Sequence, residues 1–235
     1  MHYWNQDNFE GLRSVGEQYS SIPGYALFGR YCLEKESGLK KQAIASIRAF
    51  VTDAESRSTQ EQRAIAEDLS SLGFFNQHIH QLLAHPVLLY LRAVLEKWAT
   101  DEPGNPVPHK WLGYIVGDLA SYRRALELSP SDEVCLSQLA QAHLNDVDYQ
   151  THHLSESLFL GDPATARDSL ESAKELIARM GNSNRKDRLE TQAGTYTRLL
   201  ACWSEYSNLG LDVPFPDWCA SKGEQFSFWS IVYYQ

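Results

Sequence analysis

The residues best equipped for chemistry lie in one polar stretch of the chain, residues 145–160. There Asp148, His152 and Glu156 follow one another at intervals of four residues. On a continuous helix this spacing would place two carboxylates and an imidazole on one face, and these are metal-ligand types. A single helix face generally needs a further ligand from another element, and no partner motif accompanies this set. A solvated polar face is therefore the expectation, with no metal, and a metal-dependent enzyme using this set is the alternative.

A second group of histidines, His78, His80 and His85, is a weaker candidate for a binding or catalytic site. His78 and His80 are two residues apart, so on a helix their side chains would diverge by about 200°. The chain also contains no Gly-x-Ser-x-Gly, no phosphate-binding glycine loop and no His-Glu-x2-His. We expect a protein that is not an enzyme, with no catalytic residues and no cofactor.

Helices are the elements that must position these residues. A helix-forming run from Tyr122 stops at Pro130, and Ser131, Asp132 and Glu133 follow at once with the cap and the acids of a helix N-terminus. Apolar residues about one helical turn apart come next, at Val134, Leu136, Leu139, Ala140 and Leu144. Two helices joined by so short a turn are expected to pack antiparallel.

This stretch resembles the tetratricopeptide repeat, a helix–turn–helix unit of about 34 residues. The second-helix pattern of that family is met at Tyr122-x2-Ala125-x4-Pro130 and again at Ala166-x3-Leu170-x2-Ala173, and the first-helix pattern at Leu136-x2-Leu139-Ala140-x2-His143. Leu27-Phe28-x2-Tyr31 followed by Ala43-x3-Ile47-x2-Phe50 is similar to a degenerate copy. Ala125 and Ala173 lie 48 residues apart, so about 14 residues beyond one period are inserted between Leu144 and Gly161.

The resemblance implies an all-α superhelix of antiparallel helical hairpins that binds proteins or peptides and performs no chemistry. First helices line the binding groove in that family, so their outward residues carry over as groove candidates: Ser137, Gln138, Gln141 and Asn145. Insertions on one face of a repeat commonly contact the partner, which adds Tyr149, His152 and His153. Neutral amides suit recognition of a peptide backbone, and the basic clamp of carboxylate-binding members is absent from these positions.

The pattern of caps, prolines and glycines divides the chain into three parts. We predict an N-terminal helical region with a degenerate repeat at 1–100, a repeat region at 109–208 with its insertion at 145–160, and a capping tail at 209–235. Three prolines in six residues argue against regular structure at 101–108. Helices are predicted at 5–20, 25–36, 39–54, 58–72, 74–84, 87–99, 111–128, 133–144, 162–181 and 185–207, with Gly73 as a stop. A loop is predicted at 213–218, and the aromatic tail 226–235 reads as a strand or an extended strap.

Composition and charge limit the partners. A net charge of −9 argues against a nucleic-acid surface and suits a basic protein partner. No run of 18 apolar residues is present, which predicts no membrane span, and the N-terminus lacks the basic and apolar regions of a secretion signal. Four widely spaced cysteines indicate reduced, cytoplasmic usage. The expected state is a monomer, or a homodimer formed through the aromatic tail.

These observations lead to one hypothesis of function and two alternatives. The hypothesis is a non-catalytic tetratricopeptide-like binding module, an adaptor or an inhibitor of a protein partner. One concrete version is a bacterial immunity protein that neutralises a basic toxin. The alternatives are the metal-dependent enzyme described above and a structural scaffold that assembles through the tail.

Overall fold

The described residues, 6–210 and 212–228 of a computed structural model, are all-α, as predicted. They form eleven α-helices and one 3-10 turn, with no strand. The helices are α1 (Gln6–Ser20), α2 (Ala26–Glu36), α3 (Lys40–Glu55), α4 (Thr59–Phe75), α5 (His85–Asp101), α6 (Pro106–Val116), α7 (Leu119–Leu128), α8 (Glu133–Thr151), α9 (Pro163–Ala178), α10 (Asn184–Leu209) and α11 (Phe215–Ser221). No helix among them is long and apolar enough to cross a bilayer. The predicted aromatic strap lies outside the described residues beyond Phe228.

The chain divides into two compact units, Met1–Leu128 and Ser129–Gln235. Helix α7 therefore belongs to the first unit and α8 to the second, although the short turn between them predicted one hairpin. The proline-rich stretch 101–108 joins α5 to α6 inside the first unit. The predicted division into 1–100, 109–208 and 209–235 stays a prediction.

In the first unit α1 crosses α2 where both helices carry glycine. A Cβ on Gly29 would stand 2.3 Å from the Ser20 nitrogen and 2.7 Å from the Gly16 carbonyl oxygen. Only the missing side chain allows the two backbones to approach so closely. Next to this crossing, Phe28 and Phe50 are fully buried with ring centroids 5.6 Å apart. This aromatic contact packs α3 against α2.

Helix α4 begins as the sequence predicts but ends later. Ser58 and Glu61 form both bonds of a capping box at its N-terminus. The expectation that Gly73 stops the helix is wrong, because α4 continues to Phe75. A Cβ on Gly73 would lie 2.6 Å from the Leu83 side chain, so this glycine makes room for packing.

Three further predictions are corrected by local geometry. The second helix predicted at 74–84 does not form: residues 74 and 75 end α4, and turns and bends follow, with Gln81 at a φ of 58°. Helix α6 starts inside the proline-rich stretch, because prolines in a first turn lack only N–H groups that would have no partner there. The single helix predicted at 111–128 is two helices, because Gly117 adopts the left-handed conformation and Asp118 caps α7 through Ala120 and Ser121.

In the second unit the predicted cap at Asp162 and Pro163 is confirmed, and Asp162 accepts a hydrogen bond from Ala164 at the start of α9. Helix α9 packs against both α8 and α10. The predicted loop at 213–218 is wrong, since Phe215–Ser221 forms α11, which contacts α10. Pro214 precedes this short helix and Pro216 lies in its first turn, where proline fits.

Candidate binding site

Helices α8 and α10 lie parallel and side by side. Gln141 donates a hydrogen bond of 3.3 Å to Gln192, and Tyr196 donates one of 2.7 Å to Asp148. The residue further along α8, Asp148, bonds to the residue further along α10, Tyr196, so both helices run in the same direction. The antiparallel α9 connects them. These contacts set the spacing of the two helices that carry the candidate site.

The inserted segment both lengthens α8 and forms a loop. The helix runs to Thr151, whose hydroxyl donates to the Val147 carbonyl, and then gives way to a 3-10 turn at Leu154–Glu156. Leu154 is fully buried and anchors that turn. The Leu160 N–H then bonds to the Gln150 carbonyl, which holds the returning chain beside the end of α8.

A cleft of about 380 Å³ opens between the C-terminal end of α8, the middle of α10 and the extended segment before the tail. Its lining consists of Asp148, Thr151, His152, Gln192, Thr195, Tyr196, Arg198, Leu199, Gln225, Phe226, Ser227 and Phe228. Most of these side chains are neutral hydrogen-bonding groups, and three are apolar. A volume of about 380 Å³ lies within the range of ligand pockets in proteins, about 300–1,000 Å³.

One wall of the cleft holds a hydrogen-bonded pair of side chains, Tyr196 and Asp148. Burial, together with the hydrogen bond to Asp148, raises the pKa of Tyr196 to about 12. The phenol therefore remains protonated near neutral pH and keeps donating to Oδ1 of Asp148. This bond holds the carboxylate in one orientation at the cleft wall.

Beside the cleft the end of α8 presents a small aromatic patch, formed by Tyr149, His152 and His153. Tyr149 is 67% exposed, and its ring centroid lies 5.5 Å from that of His152. The rings of His152 and His153 are 4.3 Å apart. Nδ1 of His153 lies 3.1 Å from a carboxylate oxygen of Glu156, which orients its ring.

The structure places the seven predicted contact residues in different surroundings. His152 lines the cleft, and Tyr149 and His153 complete the adjacent patch. Two of the four predicted groove residues are linked, because Gln141 donates to Asn145 at 2.9 Å.

The other two groove candidates are less accessible. Ser137 is only 1% exposed, since it is covered where Arg185 donates to its hydroxyl, and the expectation that it faces outward is wrong. Gln138 is half-buried.

The geometric premise of a metal site is not met. Helix α8 ends at Thr151, with His152 as its C-cap, and Glu156 lies in the following 3-10 turn, so Asp148, His152 and Glu156 do not share one helical face. Across residues 6–210 and 212–228 no three His, Cys, Asp or Glu side chains are grouped as metal ligands. His78 and His80 are exposed on the turn after α4.

Sequence reasoning missed the part of the cleft that α10 and the C-terminal segment contribute, including Tyr196, Arg198, Phe226 and Phe228. A usable signal was present for Tyr196. It follows Asp148 by 48 residues, the same interval that separates Ala125 from Ala173 in the repeat pattern. For Phe226 and Phe228 the sequence predicted only an aromatic tail that caps the last helices, without a role in a cleft.

Comparison of the chain with protein-family models, curated proteins and solved structures found no match. The candidate site therefore rests on the chain's own residues. Its central features are the parallel pair α8 and α10, the cleft between them and the aromatic patch beside it.

Proposed function

We propose that the second unit binds an extended segment of another protein along α8 and α10, and that the chain acts without catalysis as an adaptor or an inhibitor. The observation that carries the proposal is the parallel arrangement of α8 and α10 around an open cleft. The resemblance to tetratricopeptide repeats implies the same use of alternate helices, which line a groove for a partner.

The lining of the cleft supports a peptide as the bound group. Gln192, Thr195, Gln225 and Ser227 each carry both hydrogen-bond donor and acceptor capacity. A peptide backbone presents alternating N–H and C=O groups that lose water on binding and need such partners. Uncharged side chains satisfy them without the cost of burying a charge.

The aromatic patch supports a protein surface beyond the peptide itself. Tyrosine is among the residues that contribute most to binding energy at interfaces, because its rigid ring covers a large area at a small entropic cost. Tyr149 is 67% exposed at the edge of the cleft, and His152 belongs to both features. A partner lying in the cleft would cover this ring.

Charge supports a basic partner. A net charge of −9 attracts cationic proteins over long range and speeds their association. A cytoplasmic immunity protein that occludes a basic bacterial toxin is one version of this function. For that version, mixing with the cognate toxin should yield a stable complex, and its absence would remove the version while leaving the adaptor role open.

The experiment is a pull-down from the native host with the tagged full chain. A Tyr149→Ala/His152→Ala variant is compared with a matched variant in the first unit, Leu89→Ala/His85→Ala, which also changes an exposed apolar side chain and a histidine. We expect one stoichiometric protein to be captured by wild type and by the matched variant. The cleft variant should lose it by about tenfold or more.

Circular dichroism of each variant checks that folding is retained. Capture of no stoichiometric protein, or equal capture by both variants, would contradict the proposed binding site.

A further inference from the structure

Among the described residues that line the cleft, one is acidic and one is basic, Asp148 and Arg198, and no ion pair of the described second unit includes either. Tyr196 donates to Oδ1 of Asp148, but no lysine or arginine of the described second unit forms an ion pair with this carboxylate. Arg198 is exposed and likewise takes no part in those ion pairs. The half-buried Asp148 is thus a carboxylate of the cleft wall that Tyr196 orients and that no ion pair of the described second unit neutralises.

The apolar part of the lining matches a long side chain with a charged end. Phe226 and Phe228 both face the cleft, with ring centroids 6.1 Å apart and planes inclined at 67°. Leu199 adds an aliphatic surface. The stems of arginine and lysine pack on such surfaces while their cationic ends reach a carboxylate, and aromatic faces themselves attract cations.

We infer that the cleft takes an arginine or lysine side chain of the partner, with its cation against Asp148 and its stem on Phe226 and Phe228. The inference rests on the proposed function and specifies the chemistry that the bound segment must carry. A net charge of −9 favours the same ligand at long range.

Arg198 makes the inference sharply testable, because its charge has the same sign as the ligand. A bound cation is repelled by Arg198 and attracted by Asp148, so removal of the two charges must act in opposite directions. An anionic ligand would reverse both signs. A neutral ligand would respond to neither.

The probes are three acetylated and amidated pentapeptides, Gly-Ser-Xaa-Ser-Gly, with arginine, glutamine or glutamate at the centre. Their binding to the full chain is followed by NMR titration. We expect the arginine peptide to bind about tenfold tighter than the glutamine peptide and the glutamate peptide to bind weakest. Asp148→Asn, which retains an oxygen for Tyr196, should abolish the preference for arginine.

Arg198→Gln should tighten the arginine peptide by about two- to fivefold. Glu175→Gln removes an exposed charge on α9 outside the cleft and serves as the charge-matched control, with no change expected. The inference is overturned if the arginine peptide shows no preference, if Arg198→Gln weakens it, or if no peptide binds at millimolar concentration.

The two proposals fail in distinguishable ways. Capture of a partner that depends on Tyr149 and His152, without a preference for the arginine peptide, would leave the binding function standing and remove the basic side chain. Binding of the arginine peptide that Asp148→Asn abolishes, with no partner captured, would retain the cation site and remove the protein-binding function.

Discussion

The hydroxyl of Tyr196 donates a 2.7 Å hydrogen bond to Oδ1 of Asp148, across 48 residues of chain. Tyr196 is buried on α10, and Asp148 is half-buried in the last turn of α8. The bond joins the two parallel helices at the cleft and orients its carboxylate. The same two residues therefore join the helices and line the proposed binding site.

Replacement of Tyr196 by phenylalanine removes this bond while retaining the ring. We expect the free energy of unfolding to fall by about 1–2 kcal/mol, because the acceptor is charged but remains partly in water. Urea denaturation followed by circular dichroism measures the change. Tyr149→Phe, which removes a hydroxyl from an exposed ring, is the control and should leave stability unchanged. An equal effect of both variants would show that the Tyr196 hydrogen bond contributes nothing.

Alkaline pH should destabilise the protein through its buried phenols. Burial raises the pKa of Tyr90 and of Tyr196 to about 12, whereas an unfolded tyrosine titrates near about 10. The folded state therefore keeps protons that the unfolded state releases. The stabilisation is fully present below about pH 10 and is lost as the pH rises towards 12.

Urea midpoints at a series of alkaline pH values measure this loss. A Tyr90→Phe/Tyr196→Phe variant should lose less stability over the same range, because two of the shifted groups are gone. If the variant and the wild type lose stability in parallel, these two phenols do not cause the alkaline transition.

The surroundings of two glycines, Gly29 at the crossing of α1 and α2 and Gly194 inside α10, predict opposite effects for the same substitution. Gly29→Ala should cost about 1–3 kcal/mol or more, because the new methyl would stand 2.3 Å from the backbone nitrogen of Ser20. Gly194 lies inside α10 with nothing within 4 Å of an added Cβ. Gly194→Ala should therefore stabilise by about 0.5–1 kcal/mol. Thermal unfolding measures the change in stability of each variant relative to wild type. A Gly29→Ala protein as stable as wild type would contradict the close crossing.

The capping box of α4 predicts a loss of stability when its serine is removed. Ser58 accepts from the Glu61 N–H, and the Glu61 carboxylate accepts from the Ser58 N–H at 3.0 Å. Ser58→Ala should cost about 1 kcal/mol, because it leaves an N–H of the first turn without its partner. Chemical denaturation is the measurement, with the exposed Gln60→Ala as the control. A loss no greater than that of the control would mean that solvent caps the helix equally well.

Local chemistry in the sequence determined most helix starts and several helix ends. Ser58 with Glu61, and Asp162 with Pro163, place helix N-termini correctly, because their bonds join residues only two or three positions apart. The interval of 48 residues between Asp148 and Tyr196 also equals the interval between Ala125 and Ala173 in the repeat pattern.

Tertiary structure decided what the local signals left ambiguous. Glycine either ends a helix or makes room for a neighbour, and only the packing of Leu83 on Gly73 shows that α4 continues. Gly117, by contrast, ends α6 through its own left-handed conformation and divides a run that has a helical pattern throughout.

The sequence alone identified Asp148 and His152 as groups capable of binding or chemistry, from their types and spacing. Glu156 would have joined them on one face only if the helix continued through the insertion, and the end of α8 at Thr151 separates it from them. Tyr196, Phe226 and the other walls of the cleft come from distant parts of the chain. Their meeting depends on the summed packing of several helices, which no local pattern encodes, and so the cleft itself was decided by the tertiary structure.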